Sequence, residues 1–214
     1  MKKSLAVLGA VIAAGMLSVP TYAASSPSYY ISGNVGASWF NDITSTDPTT
    51  QLKDNHPLTT TAGINVLGAF GVKWCNTYRL EAEFGYQRNN AKQWTDNSGY
   101  DNAMKGNLSV TSVLANGYYD FSSGAVNPYL TAGIGWASVA DNTVGKVTSI
   151  DYPSESHSVL AYQFGAGISI PVAKNVDIDA RYRYFRTSTV SLNDSQGEFQ
   201  IASHSVLAGL RVGF

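Results

Sequence analysis

Cysteine is almost missing from this chain: its 214 residues include one, Cys75. An intramolecular disulfide is therefore excluded, and Cys75 is left either to pair between chains or to sit unreactive in a turn. Charge is scarce too, at 14% of residues, against about a quarter in ordinary soluble domains. The signs nearly cancel, 14 Lys and Arg against 15 Asp and Glu, so there is no basic footprint for nucleic acid. After residue 23 no segment is apolar for the ~20 residues that a membrane helix needs. If the chain enters a membrane, it must do so as strands.

The chain opens with "MKKSLAVLGAVIAAGMLSVPTYA". Lys2 and Lys3, an apolar run from Leu5 to Val19 and small residues at Thr21 and Ala23 form the three-part pattern of a secretory signal peptide. Residues 1–23 are therefore expected to be cut off between Ala23 and Ala24. Residues 24–214 are expected to form one domain, exported through the periplasm. Ala24 rather than a cysteine stands directly after the cleavage site, so no lipoprotein anchor is expected.

What the remaining sequence has in abundance is alternation. Strands with lipid on one side and a polar interior on the other alternate with period two over about 10 residues. In "VDIDARYRYF" Val176, Ile178, Ala180, Tyr182 and Tyr184 alternate with Asp177, Asp179, Arg181, Arg183 and Phe185. In "YRLEAEFGYQ" Tyr78, Leu80, Ala82, Phe84 and Tyr86 alternate with Arg79, Glu81, Glu83, Gly85 and Gln87. "YYISGNVGASWF", "INVLGAFGVKW", "SVLANGYYDF", "YLTAGIGWA", "LAYQFGAGISI" and "HSVLAGLRVGF" repeat the pattern, with the phase of the fourth strand ambiguous upstream of Ser112. Connections are short after strands two, four and six, and long and polar after strands one, three, five and seven (Asn41 to Thr59, Arg88 to Ala103, Val139 to Ser156, Thr187 to Ile201). The expectation is an all-β fold, an eight-stranded antiparallel up-and-down transmembrane β-barrel, whose closure leaves no strand edge in lipid.

A one-residue slip of any strand would exchange its two faces. In the seventh strand that would send Asp177, Asp179, Arg181 and Arg183 into acyl chains, at up to ~2–4 kcal/mol for each basic residue at mid-depth. The charged face must look inward. The lumen then collects Lys73, Arg79, Arg181, Arg183 and Arg211 against Glu81, Glu83, Asp120, Asp177 and Asp179, a balanced set. Strands three and seven lie across the barrel from each other. Arg79 is therefore expected to pair with Asp177 or Asp179, and Glu81 and Glu83 with Arg181 and Arg183. This network reads either as a selective pore or as a polar core that holds a narrow barrel shut. Aromatic residues gather in two belts, Trp74, Tyr78, Tyr119, Phe121 and Phe214 at the short-turn end and Trp39, Tyr86, Trp136, Tyr162 and Tyr184 at the long-loop end, as expected at the two membrane interfaces.

The alternating start, "NPYLTAGIGWA", "FGAGISIPVAKNVDIDARYRYF" and the terminal "HSVLAGLRVGF" together resemble the small outer-membrane barrel family of the opacity-type surface proteins, the OmpX/Ail group and the OmpA transmembrane domain. The resemblance covers nearly all of the chain after the leader and implies a bacterial cell outer membrane location. It also implies that Phe214, with Val212, Leu210 and Ala208 at alternate preceding positions, is read by the outer-membrane assembly machinery. With Phe214 as the last residue, no peptidoglycan-binding domain of the OmpA kind is expected after the barrel.

The hexapeptide "SHSVLA" occurs at Ser156 to Ala161 and again at Ser203 to Ala208. A Ser/His pair near the outer surface is what a lipid A enzyme would use. Neither copy continues as the His-x-Ser-Asn of the lipid A deacylases, and the acids that would orient a base, Glu155 and Glu198, lie in loops. Alternation puts Leu160 outside and Leu207 inside, so the same letters serve opposite faces. His56, His157 and His204 lack metal-ligand spacing, so no metal is expected, and no cofactor or catalytic residue either. The reading is a non-enzymatic surface protein whose loops, with Trp94 and Tyr100 as contact candidates, meet a host or cell-surface ligand or lipopolysaccharide and support the envelope. A small porin-like channel and a lipid A-modifying enzyme are the alternatives.

Overall fold

The computed structural model describes residues 27–41, 58–95, 101–103, 106–121, 124–141, 156–191 and 198–214. The expected leader and its cleavage site, His56, Tyr100 and Glu155 lie outside the described residues. Eight long strands run Ser28–Phe40, Gly63–Trp74, Tyr78–Thr95, Asn107–Asp120, Asn127–Asp141, Ser156–Ala173, Val176–Thr187 and Ala202–Gly213. Each pairs antiparallel with the next in the chain. The first strand closes on the eighth from Tyr30↔Gly213 to Phe40↔Ser203. The result is a closed up-and-down barrel, with every long strand flanked on both sides.

Side-chain exposure follows the alternation. In the first strand Ile31, Val35 and Trp39 are exposed while Tyr30, Asn34 and Ser38 are buried. In the seventh Ile178 and Tyr182 face out and Asp179, Arg181 and Arg183 face in. The fourth strand is in phase throughout, with Leu108, Val110, Ser112 and Leu114 all inward. Val72 is buried although it lies on the outward row, where its cross-strand neighbours are Tyr29 and Leu80.

The short turns are tight. Cys75 and Asn76 both have φ of 54°, the mirror-image turn geometry whose twist matches a hairpin. Cys75 is exposed there as a free thiol. The sixth strand carries a register irregularity between Pro171 and Ala173, a position where a missing N–H costs the ladder nothing.

Two long connections differ from the expectation: Val190–Ser191 pairs with Glu198–Phe199 in the last one, and the one after the third strand departs further. Residues 88–95 continue the third strand rather than forming a loop. Short strands Leu58–Thr60 and Asp101–Ala103 pair with this extension, through Leu58↔Trp94 and Trp94↔Asn102. Outward positions above Tyr86 change from aromatic to polar, with Arg88, Asn90 and Lys92 exposed. Beyond Tyr86 the outer face therefore no longer carries the apolar half of the period-two signal.

Toward the short turns the lumen is lined by the charged rows around a cavity of about 230 Å³; toward the long connections it carries a buried apolar cluster including Phe40, Leu108, Val110, Val139, Phe185 and Ile201. Two glycines make room for rings. Gly71 lies opposite Tyr30 and Gly167 opposite Tyr129, and a Cβ at either glycine would overlap the facing ring. Gly71→Val and Gly167→Val are therefore expected to lower stability by about 1–3 kcal/mol each, read from the urea midpoint of the detergent-refolded barrel. Ile134→Arg, at an outward position that is 56% exposed, is expected to cost about 2–4 kcal/mol in a bilayer and little in the soluble unfolded chain.

Candidate functional site: the charged lumen and the outer rim

The third and seventh strands supply the charges because their inward rows read Arg79, Glu81, Glu83 and Asp177, Asp179, Arg181, Arg183. At the short-turn end Arg79 donates from Nε and Nη2 to both oxygens of Asp120, at 2.8–3.0 Å. This bidentate geometry is the strongest form of the pair. Lys73 stands 3.9 Å from the same carboxylate. Arg211 donates to Asp177 at 2.7 and 2.9 Å and to Ser169 at 2.7 Å.

In the middle of the barrel tyrosines carry the contacts. Glu81 accepts from Tyr30 at 2.8 Å and from Tyr118 at 2.6 Å. Asp179 accepts from Tyr129 at 2.8 Å. Arg181 donates to the Tyr118 oxygen at 2.7 Å. The Arg79 guanidinium lies 4.1 Å from the Tyr118 ring centre and 4.9 Å from that of Tyr129, so its faces are covered by rings while its edge meets carboxylates.

Glu83 is the acceptor that joins the two walls. It lies 3.5 Å from Arg181 and 3.1 Å from Arg183. Arg183 also donates to Gln163, which donates to Asn116 at 2.7 Å. Higher still the links are neutral, Asn65 to Ser205, Ser203 to Gln87 and Ser38 to Asn89. Every basic residue expected in the lumen is there, and so is every acid.

The pairing differs from the expectation in two places. Arg79 meets Asp120 on the adjacent strand, not Asp177 or Asp179, because Arg79 sits opposite Tyr118 and the aspartate follows two residues on. Glu81 is held by tyrosine hydroxyls rather than by Arg181 or Arg183. The expected pairing of Glu83 across the lumen does occur. Tyr30, Tyr118, Tyr129 and Gln163 are the members that charge counting alone misses. A usable signal was present for two of them, an inward tyrosine directly opposite a glycine.

Mid-lumen space between Asn34, Arg181 and Arg211 amounts to about 10 Å³. Asn34 Oδ1, Arg181 Nε and Arg211 Nη1 line it without partners among the described residues. That room suits one water with several polar neighbours, and an ordered water is the expected finding of a high-resolution crystal structure.

Near the outer rim His204 Nδ1 is hydrogen-bonded with the Tyr182 hydroxyl, and the ring packs between Tyr182 and Tyr184 on the outer wall. Ser203 and Ser205, its chain neighbours, are fully buried in the lumen. In the first hexapeptide copy Ser158 and Leu160 are exposed and Ala161 is buried; in the second Leu207 is buried and Val206 exposed. The two copies do present opposite faces. Trp94 lies in the extension of the third strand, while Tyr100 lies outside the described residues. The terminal row Ala208, Leu210, Val212 and Phe214 faces outward, with Phe214 the most exposed at 70%. Among the described residues no group of His, Cys, Asp and Glu could hold a metal.

Residues 9–213 match the family model described as the outer membrane protein beta-barrel domain. The chain belongs to that family. Among solved structures, this outer membrane protein β-barrel resembles Neisserial surface protein A (NspA), at 19% identity and a TM-score of 0.58, with 89% of this chain and 100% of that one covered. It also resembles the outer membrane protease OmpT from Escherichia coli, at 11% identity and a TM-score of 0.51, covering 91% and 99%. Ail, the attachment invasion locus protein of Yersinia pestis, aligns at 20% identity and a TM-score of 0.45, covering 87% and 99%. No curated protein matches the sequence. Membership places the barrel in the bacterial outer membrane, where short turns face the periplasm and long connections the exterior.

Glu83→Gln would leave Arg181 and Arg183 sharing a buried site without an anion. It is expected to destabilise the barrel by about 3–5 kcal/mol, whereas Lys92→Gln on the exposed extension is expected to change stability by less than about 0.5 kcal/mol. Urea unfolding in the same detergent compares the two.

Proposed function

We propose that this barrel is a non-enzymatic surface protein, a rigid mount whose extracellular connections make contact with other cells, host molecules or lipopolysaccharide, and whose wall contributes to envelope integrity. The observation that carries this reading is the extension of the third strand to Thr95, braced on both sides by Leu58–Thr60 and Asp101–Ala103. A strand continued beyond the lipid, with Arg88, Asn90 and Lys92 on its outer face, holds a surface away from the membrane. A rigid base under short crests lowers the ordering cost of binding.

The alternatives find less support in the geometry. A channel needs a continuous wet path, and here the space falls from a cavity of about 230 Å³ at the short turns to one of about 10 Å³ in mid-lumen, with an apolar cluster toward the long connections. A Ser/His enzyme needs the two groups on one face. His204 points away from Ser203 and Ser205, and its described hydroxyl partner is Tyr182. The fold itself does not choose, since NspA is by name a surface protein and OmpT a protease.

The expected outcome is that Trp94→Ala with Tyr100→Ala lowers binding of barrel-bearing cells to their target surface by about tenfold or more, in keeping with aromatic anchors, while the barrel still inserts. Unchanged binding, together with reproducible conductance in planar bilayers that shifts on neutralising Arg181, would replace the mount with a channel. A changed lipid A mass that disappears in His204→Ala would replace it with an enzyme.

A further inference from the structure

At the short-turn end the strands leave a cavity of about 230 Å³ whose lining includes Lys73, Asp120, Asp177 and Arg211. Above it the next space, between Asn34, Arg181 and Arg211, holds about 10 Å³, too little for a ligand to pass, so the cavity serves as a blind cup opening toward the short-turn end. Two charged groups in the cup have unused bonding capacity. Lys73 Nζ has Asp120 Oδ2 at 3.9 Å as its nearest described acid, beyond hydrogen-bond range, and both oxygens of that carboxylate are already held by Arg79. Asp177 gives Oδ2 to Arg211, and its Oδ1 accepts from no described residue.

An ammonium without a close acceptor and a carboxylate oxygen without a donor therefore share one small chamber. We propose that the cup binds a small zwitterion of the α-amino-acid type, its carboxylate on Lys73 Nζ and its ammonium on Asp177 Oδ1. The charges of the lumen already balance, Lys73 and four arginines against five acids. A ligand with no net charge keeps that balance where an unpaired ion would be costly. The volume suits a free amino acid or a dipeptide, and Phe121 and Pro171 offer apolar rim for a side chain. Because the cup is blind, the ligand enters and leaves by one mouth, and binding is not transport. The proposal is independent of what the extracellular connections do.

The test is titration of the full barrel, refolded in detergent micelles and labelled with ¹⁵N, with alanine. Saturable shifts of the Asn76 and Ser169 amides are expected, and acetate or methylammonium, each able to make half the contacts, should bind about tenfold or more weakly than alanine. Lys73→Met should weaken alanine by a similar factor without touching the Arg211–Asp177 pair, and Asp177→Asn provides the complementary loss. An amide spectrum that keeps its dispersion shows that each variant is folded. No saturable shift up to about 100 mM alanine, acetate binding as tightly as alanine, or full affinity in folded Lys73→Met would each overturn the assignment.

Discussion

The constraint on which everything else rests is the lack of water in the bilayer's hydrocarbon. Every strand N–H and C=O at that depth needs a partner within the chain, and the pairing of the first strand with the eighth meets that need by leaving no edge. Closure then divides the residues of each strand between lipid and lumen. The apolar rows go outward at no cost, and the charges go into a space too narrow for bulk solvent. There they must satisfy one another, which is why both oxygens of Asp120 are held by Arg79 and why Glu83 stands between two arginines.

How much of this could be read in advance depended on the physical origin of each feature. The two faces of the seventh strand were legible because Asp177, Asp179, Arg181 and Arg183 fall on one row, and a slip would be energetically prohibitive. Partner choice was not, since it depends on strand stagger and on relative height, which no periodicity records. Thus Arg79 was assigned across the barrel and found its aspartate next door. The tyrosines of the lumen were overlooked because an aromatic residue reads as filler or belt until its hydroxyl has a carboxylate to meet. Residues 88–95 read as a loop for a related reason: a strand with solvent outside has polar residues on its outer row, so the alternation fades while the hydrogen-bond ladder continues.

The two ends of the lumen also differ in kind. Toward the periplasm the lumen side chains are ionic and leave room; toward the exterior an apolar cluster stands beside neutral hydrogen-bonded pairs. On the reading proposed above, contacts with the surroundings fall to the extended third strand and its companions, and binding at the periplasmic end falls to Lys73, Asp177 and their neighbours. The histidine of the second hexapeptide belongs to neither, held by tyrosines on the outer wall while its flanking serines serve the interior.

The glycine and tyrosine that face each other across a strand pair, Gly71 with Tyr30 and Gly167 with Tyr129, form one unit of volume shared between two positions. Neither can change size alone without leaving a hole or forcing a clash. Over evolutionary time the two members of each couple should drift in concert, a large ring migrating to one partner only as the other shrinks. Related barrels would then preserve the sum of the pair more faithfully than the identity of either residue.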